Sequence, residues 1–207
     1  MPVFQLRDVT VRRAGAVVLD HLDLEVPAEG LTVLTGPSGS GKSTVLRLCN
    51  RLLVPDAGVV EFRGADVAQL DPCALRRRVG MVFQRPTPFA GSVRDNLAAA
   101  GADDDARAAA LLDAVALDEG FLGRDARELS GGEQQRMCLA RALATGPEAL
   151  LVDEGTSALD REATRTLEEL VAGLAAAGHP VLWVTHDEAQ VDRIADHRRS
   201  LGRARGR

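Results

Sequence analysis

Apolar and polar residues alternate with a period of two over most of the first thirty positions. Val9 and Val11, and then Leu22, Leu24 and Val26, repeat at this spacing, and polar turns separate the two groups. This alternation is typical of strands that bury one face. The beginning of the chain therefore predicts an antiparallel β subdomain.

Four later apolar runs have the length and composition of buried strands, and helical segments separate them. They are residues 31–35, 79–83, 149–152 and 181–185. This order predicts an α/β fold with a mostly parallel core sheet. The stretch from about 92 to 121 is Ala-rich, has a helical period and interrupts the alternation. We therefore expect a single domain over 1–207, with a helical subdomain inserted at about 85–128.

Each of the four core runs leads directly into glycine or polar residues. The first leads into Gly36, the second into Gln84 and the fourth into His186, and the third into an acid pair, Asp153 and Glu154. Ligands of open α/β sheets bind at the carboxyl ends of the strands. These positions are therefore expected to converge on one ligand.

The segment 36–44 follows the pattern G-x-x-x-x-G-K-[ST] between a strand and a helix, which is typical of a phosphate-binding loop. Its glycines let successive N–H groups point at phosphate oxygens, and the helix adds its positive N-terminal end. Lys42 is predicted to reach the β- and γ-phosphates, and the Ser43 hydroxyl to bind Mg²⁺. A Gly/Ser-rich linker would not place Lys-Ser-Thr at this offset. The predicted nucleotide-binding residues here are Gly36, Pro37, Ser38, Gly39, Ser40, Gly41, Lys42, Ser43 and Thr44.

The polar residues at the other strand ends suit phosphoryl chemistry. Asp153 is predicted to hold Mg²⁺, and Glu154 to orient or deprotonate an attacking water. Gln84 is a candidate ligand of the metal or the water through its amide oxygen, and His186 is placed to stabilise charge on the γ-phosphate. The plain structural alternatives are two surface carboxylates, a polar strand terminus and a structural histidine.

A second glycine-rich helix start, Ser130-Gly131-Gly132-Glu133, has the sequence of a capping box. Such a helix start is also an anion site, so Ser130, Gly131, Gly132 and Gln134 are candidate nucleotide contacts. It follows the helical insertion and is not expected to reach the phosphate loop of its own chain. A second copy facing that loop would deliver it, which predicts a dimer with nucleotide between two chains.

Composition limits the possible partners. The formal net charge is −5, aromatic residues make up 3% and there is no Tyr. Neither nucleic-acid binding nor a base-stacking platform is therefore expected. Cys49, Cys73 and Cys138 show no metal-ligand or redox spacing. The chain has no signal-peptide pattern and no apolar run near the ~18–20 residues of a membrane span, so we expect a cytoplasmic protein.

Several motifs in order resemble the nucleotide-binding subunit of an ATP-binding cassette (ABC) transporter. They are GPSGSGKST at 36–44 (Walker A), Gln84 in VFQRP (Q-loop), LSGGEQQR at 129–136 (signature), LLVDE at 150–154 (Walker B), SALD at 157–160 (D-loop) and His186 in VTHD (switch histidine). The resemblance covers nearly the whole chain, from about residue 4 to 195.

The resemblance implies a phosphate-loop fold of the ABC ATPase type that binds ATP with Mg²⁺. It implies that ATP joins two copies head to tail, with Ser130 and Gly132 of one copy on the γ-phosphate held by the other, and that Glu154 is the catalytic carboxylate. Movement would pass through the helical subdomain, near Phe89, to an integral membrane partner, and this chain would be peripheral on the cytoplasmic face of the plasma (inner) membrane. The segment 79–97 resembles phosphate importers and small metal or iron exporters, and the short length and the sequence WVTHD at 183–187 resemble the exporters somewhat more.

The sequence departs from the family pattern at three places. Arg12 and Arg13 stand where the family usually stacks an aromatic residue on adenine, and Arg13 is a candidate replacement because a guanidinium can stack on a base. Gly155 stands where the family commonly has Pro, and we expect it to loosen the loop after Glu154. The basic segment 197–207 lacks the apolar strand expected there and is interpreted as a disordered tail.

Two other functions remain to be compared with a transport ATPase. A soluble mechanochemical ABC ATPase acting on DNA or ribosomes would usually carry two cassettes or a long coiled-coil insertion, and neither fits in 207 residues. A phosphate-loop kinase of small molecules would not need the signature helix.

Overall fold

The structure is a computed structural model, and it describes residues 1–157 and 159–202. Within this part of the chain the strands are β1 (Phe4–Arg13), β2 (Ala16–Val26), β3 (Leu31–Thr35), β4 (Ala57–Phe62), β5 (Ala65–Asp66), β6 (Val79–Val82), β7 (Ala149–Asp153), β8 (Val181–Val184) and β9 (His197–Ser200). The helices are α1 (Lys42–Cys49), α2 (Pro72–Arg78), α3 (Val93–Ala98), α4 (Asp105–Asp113), α5 (Gly131–Ala144), α6 (Arg161–Ala176) and α7 (Glu188–Ile194). A 3₁₀ turn covers Glu119–Phe121.

The N-terminal strands form the predicted antiparallel sheet, in the order β2-β1-β4-β5. Phe4 on β1 lies opposite Val26 on one side and Phe62 on the other. The rings of Phe4 and Phe62 are 5.3 Å apart between centroids, and both are buried. Alternate residues of β1 thus form the inner face of this sheet, as the period-two pattern indicated.

The second sheet is the parallel core, in the order β6-β7-β8-β3-β9. The strands β7 and β8 are buried along their whole length, and β3 is buried except at Thr35, because helices cover both faces of such a sheet. All the described pairings in this sheet are parallel. The carboxyl ends of its strands therefore meet at one edge, which confirms the predicted fold class.

The C-terminal segment corrects one sequence prediction. Residues 197–200, interpreted as the start of a disordered basic tail, form β9, which pairs with β3 from Thr32 to Thr35. An edge strand tolerates charged side chains, so an apolar run is not required. Arg198 pairs with Asp192 at 2.8 Å, and the following Leu201 is buried. The rest of the predicted tail, 203–207, lies outside the described residues.

The stretch assigned to the helical subdomain contains α3, α4 and the 3₁₀ turn, and both helices pack on α5. One buried cluster runs from Trp183 in the core sheet to Leu97 and Leu112 in these helices. Asn96, fully buried, accepts a hydrogen bond from the backbone N–H of Phe89 at 2.8 Å and donates to its carbonyl oxygen at 3.2 Å. The segment after Gln84 is thereby fixed to α3.

Candidate active site

The phosphate-loop sequence forms a tight turn between β3 and α1. Gly41 begins the helix with a φ of 95°, a conformation that L side chains rarely adopt. A Cβ there would lie 2.6 Å from a methyl group of Leu19, so the loop packs directly against β2. Only glycine fits this position. The glycine therefore permits the tight turn that leaves the N-terminus of α1 accessible to a ligand.

Lys42 lies in the first turn of α1 and is buried. Its ammonium donates hydrogen bonds to the carbonyl oxygens of Gly36 at 2.8 Å and Pro37 at 3.1 Å. Ser40 is also buried inside the loop, and its N–H donates to the Pro37 carbonyl at 3.1 Å. Gly36, Pro37 and Ser40 therefore shape the loop, while Lys42 presents a positive charge beside it.

The loop lines a cavity of about 360 Å³ at the carboxyl edge of the sheet. The residues around it are Val18, Ser38, Gly39, Gly41, Lys42, Ser43, Thr44, Gln84 and Glu154. Three of the four strand ends singled out in the sequence thus contribute to one cavity. Val18 on β2 was missed by the sequence analysis, because an apolar residue in a strand gives no sign that it faces a ligand.

Asp153 ends β7 beside the phosphate loop and accepts a hydrogen bond from the Ser43 hydroxyl at 2.7 Å. The carboxylate is buried, and this burial raises the pKa of Asp153 against the opposing hydrogen bond from Ser43 and the charge of Arg47. A hydroxyl and a carboxylate are the oxygen ligands that Mg²⁺ prefers, and a cation would offset the cost of burying the charge. The pair fits the metal predicted for it.

Glu154 lies between the other two polar strand ends. Its Oε2 accepts a hydrogen bond from Nε2 of Gln84 at 3.1 Å, and its Oε1 is 3.3 Å from Nδ1 of His186. The backbone of Glu154 has a φ of 45°, in the left-handed region, and its N–H donates to the Val184 carbonyl at 3.0 Å. Such strain costs of order 1–3 kcal/mol and persists where the surroundings impose it. The carboxylate is thus held at the rim of the phosphate-loop cavity.

The second glycine-rich segment forms the predicted capping box. The Ser130 hydroxyl accepts from the N–H of Glu133 at 3.3 Å, and the Glu133 carboxylate accepts from the N–H of Ser130 at 2.7 Å. Ser130, Gly131 and Gly132 line a cavity of about 440 Å³ together with Asp160 and other residues. Among the described residues, this lining shares none with the phosphate-loop cavity.

Two further candidate nucleotide contacts, Gln134 and Arg13, bind groups of their own chain. The amide of Gln134 donates to the carbonyl oxygens of Arg127 and Leu129, both at 3.0 Å, and the residue is absent from the lining of either cavity. Arg13 is at the end of β1, where its guanidinium donates to the Arg12 carbonyl at 2.6 Å and lies 3.9 Å from the Asp56 carboxylate. Val18, and not Arg13, lines the cavity.

Comparison with known proteins places this site in a family. Residues 19–157 match the family model described as ABC transporter, which is more than half of the chain. The chain belongs to the ABC transporter family. It is therefore the ATP-binding subunit that supplies energy for transport, as the ordered motifs predicted.

Relatives of this ABC subunit cover almost its whole length. Protein STAR1 of Oryza sativa subsp. japonica is 42% identical over 94% of this chain, and this chain spans 59% of that protein. Phosphate import ATP-binding protein PstB 2 of a Synechococcus strain is 39% identical over 94% of this chain and 79% of its own length.

Two solved structures share the fold. CbiO1 of Clostridium perfringens, part of the ABC transporter complex cbiONQ, superposes with a TM-score of 0.86 at 23% identity, over 97% of this chain and 84% of that one. A bacterial Atm1-family ABC exporter with ATP bound gives a TM-score of 0.81 at 29% identity, over 99% of this chain and 38% of the exporter. Among the described residues, none of the helices is long and apolar enough to cross a bilayer.

Proposed function

We propose that this chain is a Mg²⁺-dependent ATPase that drives transport through a separate integral membrane subunit, with Glu154 as its catalytic carboxylate. The observation that carries the proposal is the position of Glu154, which lines the phosphate-loop cavity while contacting both Gln84 and His186. A carboxylate placed there can bind the water that attacks a γ-phosphate in the loop.

In the proposed reaction, the backbone N–H groups of the loop and the Lys42 ammonium bind the β- and γ-phosphates. Lys42 would exchange its present carbonyl acceptors for phosphate oxygens. Glu154 orients the water and takes its proton as the bond from water oxygen to phosphorus forms and the bond to the ADP oxygen breaks. His186 stabilises the charge on the transferred phosphoryl group.

Ser43 and Asp153 would hold Mg²⁺, with the amide oxygen of Gln84 as a further ligand. The metal neutralises charge on the phosphate oxygens when it is bound. Gln84 now donates its amide N–H to Glu154, so the opposite, oxygen end of the amide remains available for this role.

The second cavity suggests how the site is completed. Because Ser130, Gly131 and Gly132 line a cavity separate from the phosphate loop, we propose that they contact the γ-phosphate held by a second copy in a head-to-tail dimer. Gln134 and Arg13 remain candidate contacts only if their side chains leave their present partners.

The membrane partner is proposed to dock near Phe89, whose ring is about half exposed and is covered on one face by the guanidinium of Arg141 at 4.1 Å. We propose that the subunit is peripheral on the cytoplasmic face of the plasma (inner) membrane. Three of the relatives are named as phosphate import proteins, and this supports phosphate over a metal or iron as the transported substrate. Identifying the membrane protein that co-purifies with this chain tests the assignment, while binding to nucleic acid at physiological salt with no membrane partner would favour a soluble mechanochemical ATPase instead.

A Glu154→Gln substitution tests the central role. The variant should bind ATP with unchanged affinity and form a stable ATP-dependent dimer, while turnover falls about a hundredfold or more because the general base is lost. Glu169→Gln, an exposed carboxylate on α6, is the matched control and should hydrolyse ATP normally. Unchanged turnover in Glu154→Gln would contradict the proposed role.

A further inference from the structure

Glu168 on α6 is a buried carboxylate outside the nucleotide cavity. It is 4% exposed and accepts hydrogen bonds from Nε of Arg193 at 2.9 Å, Nη2 of Arg193 at 2.7 Å and Nε2 of Gln190 at 2.9 Å. The Arg193 side chain is 40% exposed, and an ion pair that is open to solvent on one side contributes little to stability, so this pairing alone does not account for the buried Glu168 carboxylate. Its contact with Gln190 indicates another role.

The side-chain amide of Gln190 is buried and has two N–H donors. One donates to Oε1 of Glu168, and the same nitrogen donates to Oγ1 of Thr156 at 2.9 Å. A carboxylate can only accept, so Glu168 selects the nitrogen end of the amide and repels the oxygen end. The second N–H is thereby directed at Thr156.

Thr156 and Gln190 belong to the two segments that carry the proposed catalytic pair. Thr156 comes two residues after Glu154, in a turn closed by a hydrogen bond from the N–H of Ser157 to the Glu154 carbonyl at 3.0 Å. Gln190 is in the first turn of α7, which begins at Glu188 and is capped by the carboxylate of Asp187, the residue directly after His186. One amide therefore joins the loop after Glu154 to the helix after His186.

We propose that Glu168 is a positioning residue for ATP hydrolysis. By fixing the orientation of the Gln190 amide, it holds Thr156 in place, and this keeps the side chains of Glu154 and His186 at their present positions relative to each other. The proposal rests on the roles given above to Glu154 and His186. It explains why a carboxylate is buried on α6, and it requires no contact of Glu168, Gln190 or Thr156 with ATP.

Variants of Thr156 test the last link of this network in the full-length chain. Thr156→Val keeps the shape but removes the acceptor, and kcat should fall about tenfold to a hundredfold, the cost of a small misplacement at a reacting centre. The affinity for ATP should change less than about threefold because the phosphate loop is untouched. Thr156→Ser keeps the hydroxyl and should restore kcat to within about threefold of the original chain. Thr145→Val, which removes a hydroxyl bonded to the Arg77 carbonyl at 2.9 Å, is the control and should leave kcat unchanged.

Glu168→Gln tests the orienting step, since a neutral amide no longer selects one end of Gln190. Its kcat should fall with unchanged ATP affinity, and the double variant with Thr156→Val should be no slower than the slower single variant. Glu148→Gln, which removes a carboxylate paired with Arg78, controls for the loss of an ion pair. A full kcat in Thr156→Val, an additive loss in the double variant, or an equal kcat loss in the Glu148→Gln control would overturn the proposal. If Glu154→Gln alone kept full turnover, the proposed function itself would fail, so the two failures are distinguishable.

Discussion

At the scale of single residues, Gly155 shows how closely the loop after Glu154 is packed. A Cβ built on it would lie 2.8 Å from Cγ1 of Val152 and 3.5 Å from Nε2 of Gln135. The Gln135 amide in turn donates to the carbonyl of Phe83, next to Gln84, at 2.9 Å. Gly155 was expected to loosen this loop, but its lack of a side chain lets the loop pack directly against β7 and α5.

The packing at Gly155 leads to a prediction about stability. Gly155→Ala should lower the free energy of unfolding by about 1–3 kcal/mol, because the added methyl group overpacks the core. Gly173→Ala, in the interior of α6 where a Cβ meets nothing within 4 Å, should raise it by about 0.5–1 kcal/mol. Urea unfolding of both variants measures the difference. Equal stability of Gly155→Ala and the original chain would show that Val152 moves aside without cost.

At the scale of secondary-structure elements, α3 and α5 begin with the same device. Ser92 and Asp95 form a capping box at α3, as Ser130 and Glu133 do at α5. The backbone hydrogen bond from Ser130 lowers the pKa of Glu133 below its usual value. The ionised Glu133 carboxylate therefore stabilises the fold at neutral pH, and this contribution is lost as the pH falls through the lowered pKa. The two boxes are structurally equivalent, and Ser130 of the α5 box lines a cavity of about 440 Å³ together with Gly131 and Gly132.

This equivalence separates capping from function. Ser92→Ala and Ser130→Ala should each lower the free energy of unfolding by about 1 kcal/mol through loss of the cap. Only Ser130→Ala should also reduce ATP turnover, because its hydroxyl is proposed to contact the γ-phosphate held by a second copy. Parallel unfolding and turnover measurements check this. An equal loss of turnover in the two variants would mean that Ser130 acts as a cap alone.

The sequence correctly predicted that polar residues after the core strands lie together at one cavity. Gln84 and Glu154 follow core strands, and parallel pairing places such ends together regardless of the details of packing. The strand β9 could not be predicted, because an edge strand with charged residues lacks the apolar pattern that identifies core strands. Val18 and Gln190 were missed for another reason: their contacts depend on how distant elements pack, and no spacing along the chain encodes that.

At the scale of the whole molecule, one chain has two separate cavities, which we propose are two halves of one kind of nucleotide site. The phosphate loop with Lys42 and Glu154 lines one cavity, and Ser130 with its glycines lines another. In a head-to-tail dimer, each loop would face the helix start of the partner, and two equivalent sites would form. A substitution in the phosphate loop and a substitution at the start of α5 would then disable different halves of the same site.

Mixing two inactive variants tests this arrangement. Lys42→Ala removes the phosphate-binding charge, and Ser130→Arg fills the second cavity, so each variant alone has two defective sites. In a mixed dimer, both lesions fall on one site, and the other site combines an intact loop with an intact helix start. An equal mixture should therefore recover about a quarter of the original turnover, since half the dimers are mixed and each has one working site. Turnover measured against mixing ratio should peak at equal amounts. If each chain instead completed its own site, no mixture would exceed the activity of its components.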